Sequence, residues 1–309
     1  MMTTIMIRET GTIHTALAGA TALLRGASSS PQRDAELLLA HVLKRTREDL
    51  IAHRDDALTS KDARAFTALI RRRAEGIPLP YIAGRIEFYG REFFVTPAVL
   101  IPRPETEAIV AEALRLLDAT DPLHPIIADI GTGSGVIAVS IAAETPRTTV
   151  VAADRSAAAL AVARRNAKRH RVHHRVTLIE SDLLSEFPPE LHPQMLIANL
   201  PYVPADELKR AGDALDTKGL TFEPPEALDG GPDGLFVIRR LFSQLQRANT
   251  RPVPRSFSEE GHPTPDTLRH LILEHSPQQQ RPIVELAHTA LPNFLPHEVS
   301  PFVTSWSRK

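Results

Sequence analysis

A doubly wound α/β sheet, preceded by a small N-terminal helical bundle and a β-hairpin linker, is the fold class that this sequence of 309 residues predicts. Three observations predict it. From about Pro125 onward, short apolar and β-branched runs alternate with helical segments, the pattern of a parallel sheet covered on both faces. The first of these runs ends in Gly131-Thr132-Gly133-Ser134-Gly135, a turn without Cβ crowding that leads from strand to helix. Before residue 75 the pattern is helical throughout, with no strand-like alternation.

The elements follow in order. Ser30-Pro31, with Asp34 in the first turn, marks a helix start with Pro at its first position, and Ala35, Leu37, Leu38, Leu39, Val42 and Leu43 supply an apolar stripe. Thr59-Ser60-Lys61-Asp62 opens another helix, with Phe66, Leu69 and Ile70 at helical spacing. Roughly three or four such helices make a small bundle over residues 1–75. Nothing in it suits catalysis, which leaves substrate docking or packing as its role. Gly76-Ile77-Pro78-Leu79-Pro80 breaks the helix, and from Tyr81 to Val99 the residues turn aromatic and β-branched, predicting a hairpin about Gly90 within a linker over 76–104. The catalytic domain is assigned to 105–309. Its strands are expected at 126–130, 150–153, 176–180, 195–198 and 268–273, and its helices near 136–143, 157–169, 235–246 and 278–291. The stretch 251–265, rich in Pro, Ser and Glu, reads as a mobile insertion ahead of the last of those strands.

Composition narrows the chemistry. With 36 basic against 37 acidic residues, the net charge of −1 argues against affinity won by neutralising many phosphates, so no direct nucleic-acid binding is expected. The basic clusters Arg71-Arg72-Arg73 and 164–175, with Arg165, Lys168 and Arg171, read as solvated helix faces. The chain has no cysteine, which excludes disulfides, thiolate metal sites and cysteine nucleophiles; no metal site is expected. Apolar stretches are short and interrupted, and residues 1–14 lack a signal-type apolar core, which predicts a cytoplasmic protein with no membrane contact.

Gly131, Gly133 and Gly135 let a ligand approach the backbone where N–H groups cluster at a helix start. Such a loop serves dinucleotides as well as other ligands, and Asp129 decides between them. A carboxylate at the end of that strand repels a pyrophosphate yet attracts the ammonium of a methionine tail, directly or through water. This favours S-adenosyl-L-methionine over a dinucleotide, with Thr132 and Ser134 inside the same loop. Asp154, about 20 residues beyond the loop, is placed to accept from ribose hydroxyls. Asp182, at the end of the third strand, is placed to accept from an adenine amine, with Leu183 beside the ring. Each Asp could instead cap a helix.

Asn199-Leu200-Pro201-Tyr202, just after the apolar run 195–198, suits an acceptor nitrogen that is planar and conjugated, such as an amide or an exocyclic base amine. The lone pair of such a nitrogen is delocalised, so a site that methylates it must aim that lone pair and stabilise positive charge developing on nitrogen. The Asn199 side-chain oxygen and the Leu200 backbone oxygen can take the two N–H bonds of an NH₂ group. Pro201 stiffens the corner, and Tyr202 offers a ring for stacking. Asn199 positions and does not deprotonate. A plain strand-ending turn is the structural alternative.

Over nearly its whole length the chain resembles the release-factor glutamine methyltransferases, the HemK/PrmC type. The most specific run is Val99-Leu100-Ile101-Pro102-Arg103-Pro104-Glu105-Thr106-Glu107, preceded by Gly76-x-Pro78-x-x-Tyr81-Ile82-x-Gly84 and Phe88-Tyr89-Gly90-x-x-Phe93-x-Val95. The resemblance implies a Rossmann-like, S-adenosylmethionine-dependent methyltransferase fold. It implies methylation of the glutamine amide in the Gly-Gly-Gln loop of peptide chain release factors, which would be the protein partners. Residues 199–202 would form the substrate motif, and Gly131 to Gly135, Asp154, Asp182, Leu183 and Asn199 would contact the cofactor. Phe222-Glu223-Pro224-Pro225-Glu226-Ala227-Leu228, before Gly230-Gly231, resembles the family's loop beside the active site. Leu200 stands where the family usually has Pro, with activity expected to survive because only a backbone oxygen is used. The segment 251–265 replaces the family's Lys-Pro-Gly-Gly turn, and the Asp-x-x-Gly-x-x-Arg stretch near its last hairpin is missing. Rival readings are an adenine amino-methyltransferase and an inactive cofactor-binding scaffold. Neutral charge and the intact Asn199 and Tyr202 weigh against them.

Overall fold

The computed structural model describes residues 11–120, 123–188, 191–211, 218–250 and 268–309, without the side chains of 248–250. The segment 251–265 lies outside the described residues. Two compact units emerge, one within Met1–Arg85 and Arg210–Glu223, the other within Ile86–Lys209 and Pro224–Lys309.

The first unit is helical. α1 (Ile13–Leu24) starts at Thr12, whose hydroxyl accepts from Thr15 N. α2 (Pro31–Leu43) has Pro at its first turn and ends at Lys44 in the left-handed conformation. α3 (Arg47–Ala52) and α4 (Ser60–Ala74) are capped by Thr46 and Thr59. Their apolar faces bury Ile13, Leu24, Leu38, Leu39, Phe66 and Ile70. Asp34 accepts from Arg73 Nε at 2.6 Å, an ion pair that ties α2 to α4. Tyr81 and Ile82 lie in a short helix, α5 (Leu79–Ala83), and not in the strand-like stretch that their side chains suggest. Proline at the first turn presets helical φ, Gly84 stops the helix at φ +70°, and both apolar side chains are still buried.

The second unit opens with a hairpin. β1 (Arg85–Phe88) and β2 (Arg91–Phe94) are joined through Tyr89 and Gly90, with φ of 49° and 68°, the pair of positive values a two-residue type I′ turn requires. α6 (Glu107–Thr120) follows, then β3 (Ile126–Ile130), α7 (Val136–Glu144), β4 (Thr149–Asp154), α8 (Ala157–Arg169), β5 (Val176–Glu180) and β6 (Met195–Ala198). After α9 (Ala205–Arg210) come α10 (Phe236–Thr250), β7 (His270–Glu274), α11 (Gln280–Ala290), β8 (Phe294–Ser300) and β9 (Val303–Arg308). The strands form one seven-stranded sheet in the order β5-β4-β3-β6-β7-β9-β8. Five run parallel, and β9 and β8 close the edge as an antiparallel pair. The sequence reading did not assign β8 and β9, and it placed β7 at 268–273, starting two residues early and ending one early. The chain winds outward from β3 to β4 on one side and resumes at β6 on the other. That reversal leaves a crevice beyond the carboxyl ends of β3 and β6, where ligands bind in open α/β sheets. Among the described residues no helix is long and apolar enough to cross a membrane.

Candidate active site

The crevice holds a cavity of about 380 Å³, a size suited to a nucleoside-bearing ligand. Its wall includes Gly131, Thr132, Gly133, Ser134, Asp154, Asp182, Leu183, Asn199, Leu200 and Pro201. Residues from the ends of four different strands therefore converge there. Asp129, Gly135 and Tyr202, also singled out from the sequence, are not on the wall.

Each of these three acts from behind. Asp129 has 0% exposure, and its Oδ2 accepts from the Thr132 hydroxyl at 2.6 Å. Burial pushes its carboxyl up to about 6, only partly offset by that bond. Direct contact between Asp129 and a ligand ammonium is thus not what the fold provides; Thr132 stands between Asp129 and the cavity. Gly135, at φ +79°, opens α7, and a Cβ there would lie 3.0 Å from the Cβ of Ala163. Its hydrogen side chain lets α7 meet α8. Tyr202 donates its hydroxyl to Glu274 Oε1 at 3.2 Å, which anchors the ring beside the cavity wall and not on it. Burial and the neighbouring Glu274 carboxylate both raise the Tyr202 hydroxyl's pKa, so it stays protonated as a donor.

The glycine loop is fastened to its surroundings. Gly131 N and Thr132 N donate to Ala153 O, and Gly133 N donates to Asp154 Oδ2 at 2.9 Å. Asp154 Oδ1 accepts from Ser156 N at 2.9 Å. Ser156, and not Asp154, is the cap of α8. Burial raises the Asp154 carboxyl, with the bonds from Ser156 and Gly133 acting against it. Buried Asn166 on α8 donates to Ser134 O at 2.8 Å and pairs with both backbone groups of Phe94, which fixes loop, helix and hairpin together. A Cβ at Gly133 would meet no protein atom, so space beside the loop is open to a ligand. Asp182 is exposed and paired with Arg240 of α10.

The acceptor end is built from Asn199, which donates from Nδ2 to Thr106 Oγ1 at 3.2 Å, and from Leu200, whose side chain covers Gly131. Gln279 Nε2 donates to Tyr202 O at 2.9 Å, holding the corner from the start of α11. The segment after Pro224 closes on the same corner: Val203 N donates to Leu228 O, and Gly230 N to Val203 O. It brings Pro225, Glu226, Phe236 and Arg240 to the wall. The sequence reading missed Glu274, which ends β7 beside Asn199 at 1% exposure. Burial pushes its carboxyl up to about 7, against the contacts from Thr106 and Tyr202. It also gave Thr106 no role of its own. The available signal was a carboxylate at a strand's carboxyl end, a place where α/β folds put function. Among the described residues no cluster of three or more His, Asp or Glu could hold a metal ion.

Comparison with known proteins gives the family of the chain. Residues 15–84 match the family model of the PrmC N-terminal domain, and 111–217 that of the methyltransferase small domain. A protein of Burkholderia pseudomallei described as release factor glutamine methyltransferase is 40% identical over 259 residues, covering 82% of this chain and 88% of that one. One of the same description from Xylella fastidiosa is 38% identical, covering 87% and 89%. Another, from Rhodopirellula baltica, is 41% identical, covering 72% and 75%. In fold the chain is similar to the hMettl16 catalytic domain solved in complex with a MAT2A 3'UTR hairpin, with a TM-score of 0.50, 13% identity and coverage of 75% and 73%.

Proposed function

The chain belongs to the release factor glutamine methyltransferase family, and from that premise we propose that it methylates the side-chain amide nitrogen of the glutamine in the Gly-Gly-Gln loop of peptide chain release factors, using S-adenosyl-L-methionine held in the crevice. The observation that carries the assignment to this site is the meeting of the glycine loop, Asp154 and Asn199 on one wall.

When bound, the cofactor supplies an electrophilic methyl group on a sulfonium. The residues present fit it: open space at Gly133, a carboxylate at Asp154 suited to ribose hydroxyls, and Asp182 with Leu183 for the base. Asp129 orients Thr132 and keeps negative charge near the methionine end without touching it. Asn199 Oδ1 and the Leu200 backbone oxygen accept from the glutamine NH₂ group, which turns the nitrogen lone pair to the methyl and stabilises charge growing on nitrogen. Pro201 and Tyr202 keep the corner rigid, Tyr202 through its bond to Glu274. No base is needed before transfer, because the N–H becomes acidic only once the methyl has arrived.

The test is to incubate the protein with labelled S-adenosylmethionine and either an intact release factor or adenine-containing DNA, and to map the label by mass spectrometry. Label on the Gly-Gly-Gln glutamine is expected. Label on adenine alone would overturn the reading in favour of a base methyltransferase.

A further inference from the structure

Ala198 pairs in register with Leu273, so the next residues along, Asn199 just past β6 and Glu274 at the end of β7, lie side by side. A buried carboxylate is costly unless donors surround it. Glu274 takes the Tyr202 hydroxyl at 3.2 Å, and the Thr106 hydroxyl and Asn199 amide face the same group. Its Oε2 has no hydrogen-bond partner among the described residues. In its ionised form, which takes over as pH rises past about 7, the carboxylate can only accept. Thr106 therefore turns its proton to Glu274 and offers lone pairs to Asn199, whose Nδ2 lies 3.2 Å from Oγ1. With Nδ2 committed inward, Oδ1 is the side-chain atom left for the cavity.

We infer that Glu274 is a positioning residue which, through Thr106, decides which end of the Asn199 amide faces the cavity, so that an acceptor oxygen meets the substrate NH₂ group. The inference rests on the role given to Asn199 above. Without the acid, the Thr106 hydroxyl is free to donate to Oδ1. The amide then turns over and sets its own NH₂ against that of the substrate, donor against donor. Tyr202, bonded to the same carboxylate, carries the constraint to the far end of the corner.

The experiment measures kcat, KM and calorimetric cofactor affinity at a pH above 7, where Glu274 is ionised, for Thr106→Val, Thr106→Ser, Glu274→Gln and Asn199→Ala, with an intact release factor as substrate. Thr106→Val and Glu274→Gln should each lower kcat by about tenfold or more while leaving cofactor affinity within about twofold, and the double variant should fall little further, because both break one chain of bonds. Thr106→Ser, which keeps the hydroxyl, should restore kcat. Full kcat in Thr106→Val, or strictly additive losses, would overturn the inference and leave the role of Asn199 standing if Asn199→Ala is inactive. Full kcat in Asn199→Ala would overturn that role and the inference with it. If Glu274→Gln fails to fold, the two Thr106 variants decide alone, since they leave the buried acid in place.

Discussion

Replacing Asn199 with alanine removes an acceptor whose value is realised only when the substrate nitrogen is aligned. Turnover at saturating cofactor should therefore fall by about 100-fold or more, in line with roughly 2.7–4 kcal/mol for other lost preorganised contacts, with folding little changed by chemical denaturation. Leu200→Pro should keep turnover near the starting level, because the contact assigned there is a backbone oxygen that proline also has; its loss would mean the leucine side chain over Gly131 is itself needed. Glu274 makes a separate prediction about pH. Its carboxyl rises from 4.5 to about 7 on folding, so the folded state binds its proton more tightly than the unfolded state. The stabilisation is complete below the unfolded value and is lost as pH rises through about 7, a swing of about 3 kcal/mol. Of the groups facing it, Glu105 reinforces this sign, whereas the hydrogen bonds from Thr106, Tyr202 and Asn199 favour the ionised form and offset burial only in part. Melting temperature measured from pH 5 to 8 should fall more steeply for the natural protein than for Glu274→Gln, and parallel curves would refute the burial argument. At this scale the sequence made Asn199, Asp154 and the glycine loop legible because their residue types sit in a local pattern. Glu274 and Thr106 were not, because they meet Asn199 only through strand register and the turn before α6.

At the scale of elements, β3, β4 and β6 were readable because each is a short apolar run bounded by turn residues, buried on both faces, while β5 is a half-exposed edge strand that its β-branched and apolar residues mark. β8 was not: its pattern is mostly exposed, with Pro296, His297 and Glu298 in the run, and only pairing with β9 makes it a strand. The same logic explains why Tyr81 and Ile82 were misplaced, since burial by itself fits either a strand or a helix and the flanking prolines decided for the helix. Gly135 shows an element contact that sequence could only hint at. Its positive φ and the 3.0 Å approach to Ala163 let α7 and α8 pack together. Gly135→Ala should therefore destabilise the protein by about 2–4 kcal/mol, combining left-handed strain with overpacking. Chemical denaturation would measure this. A loss of cofactor affinity at full stability would instead assign Gly135 to the ligand site.

For the whole molecule, the division of labour is the open physical question. Every residue on the cavity wall belongs to the unit of Ile86–Lys209 and Pro224–Lys309, while the helical unit has its own core and matches a separate family domain. A unit that contributes nothing to the cavity wall yet buries its own apolar faces suits recognition of a folded partner, and we propose that it docks the release factor. The distinction appears in the choice of substrate. A short peptide bearing Gly-Gly-Gln needs only the crevice, whereas an intact factor would gain from every docking contact. Deleting residues 1–75 should lower kcat/KM for the intact factor by about tenfold or more, the equivalent of some 1.4 kcal/mol of lost contact, and change that for the peptide far less. Cofactor affinity by calorimetry serves as the check that the crevice survives, which matters because Arg210–Glu223 clusters with the helices and loses its partner in the deletion. If the shortened chain methylated the intact factor as fast as the full chain does, the helices would be packing alone, and recognition would have to reside in the walls of the crevice itself.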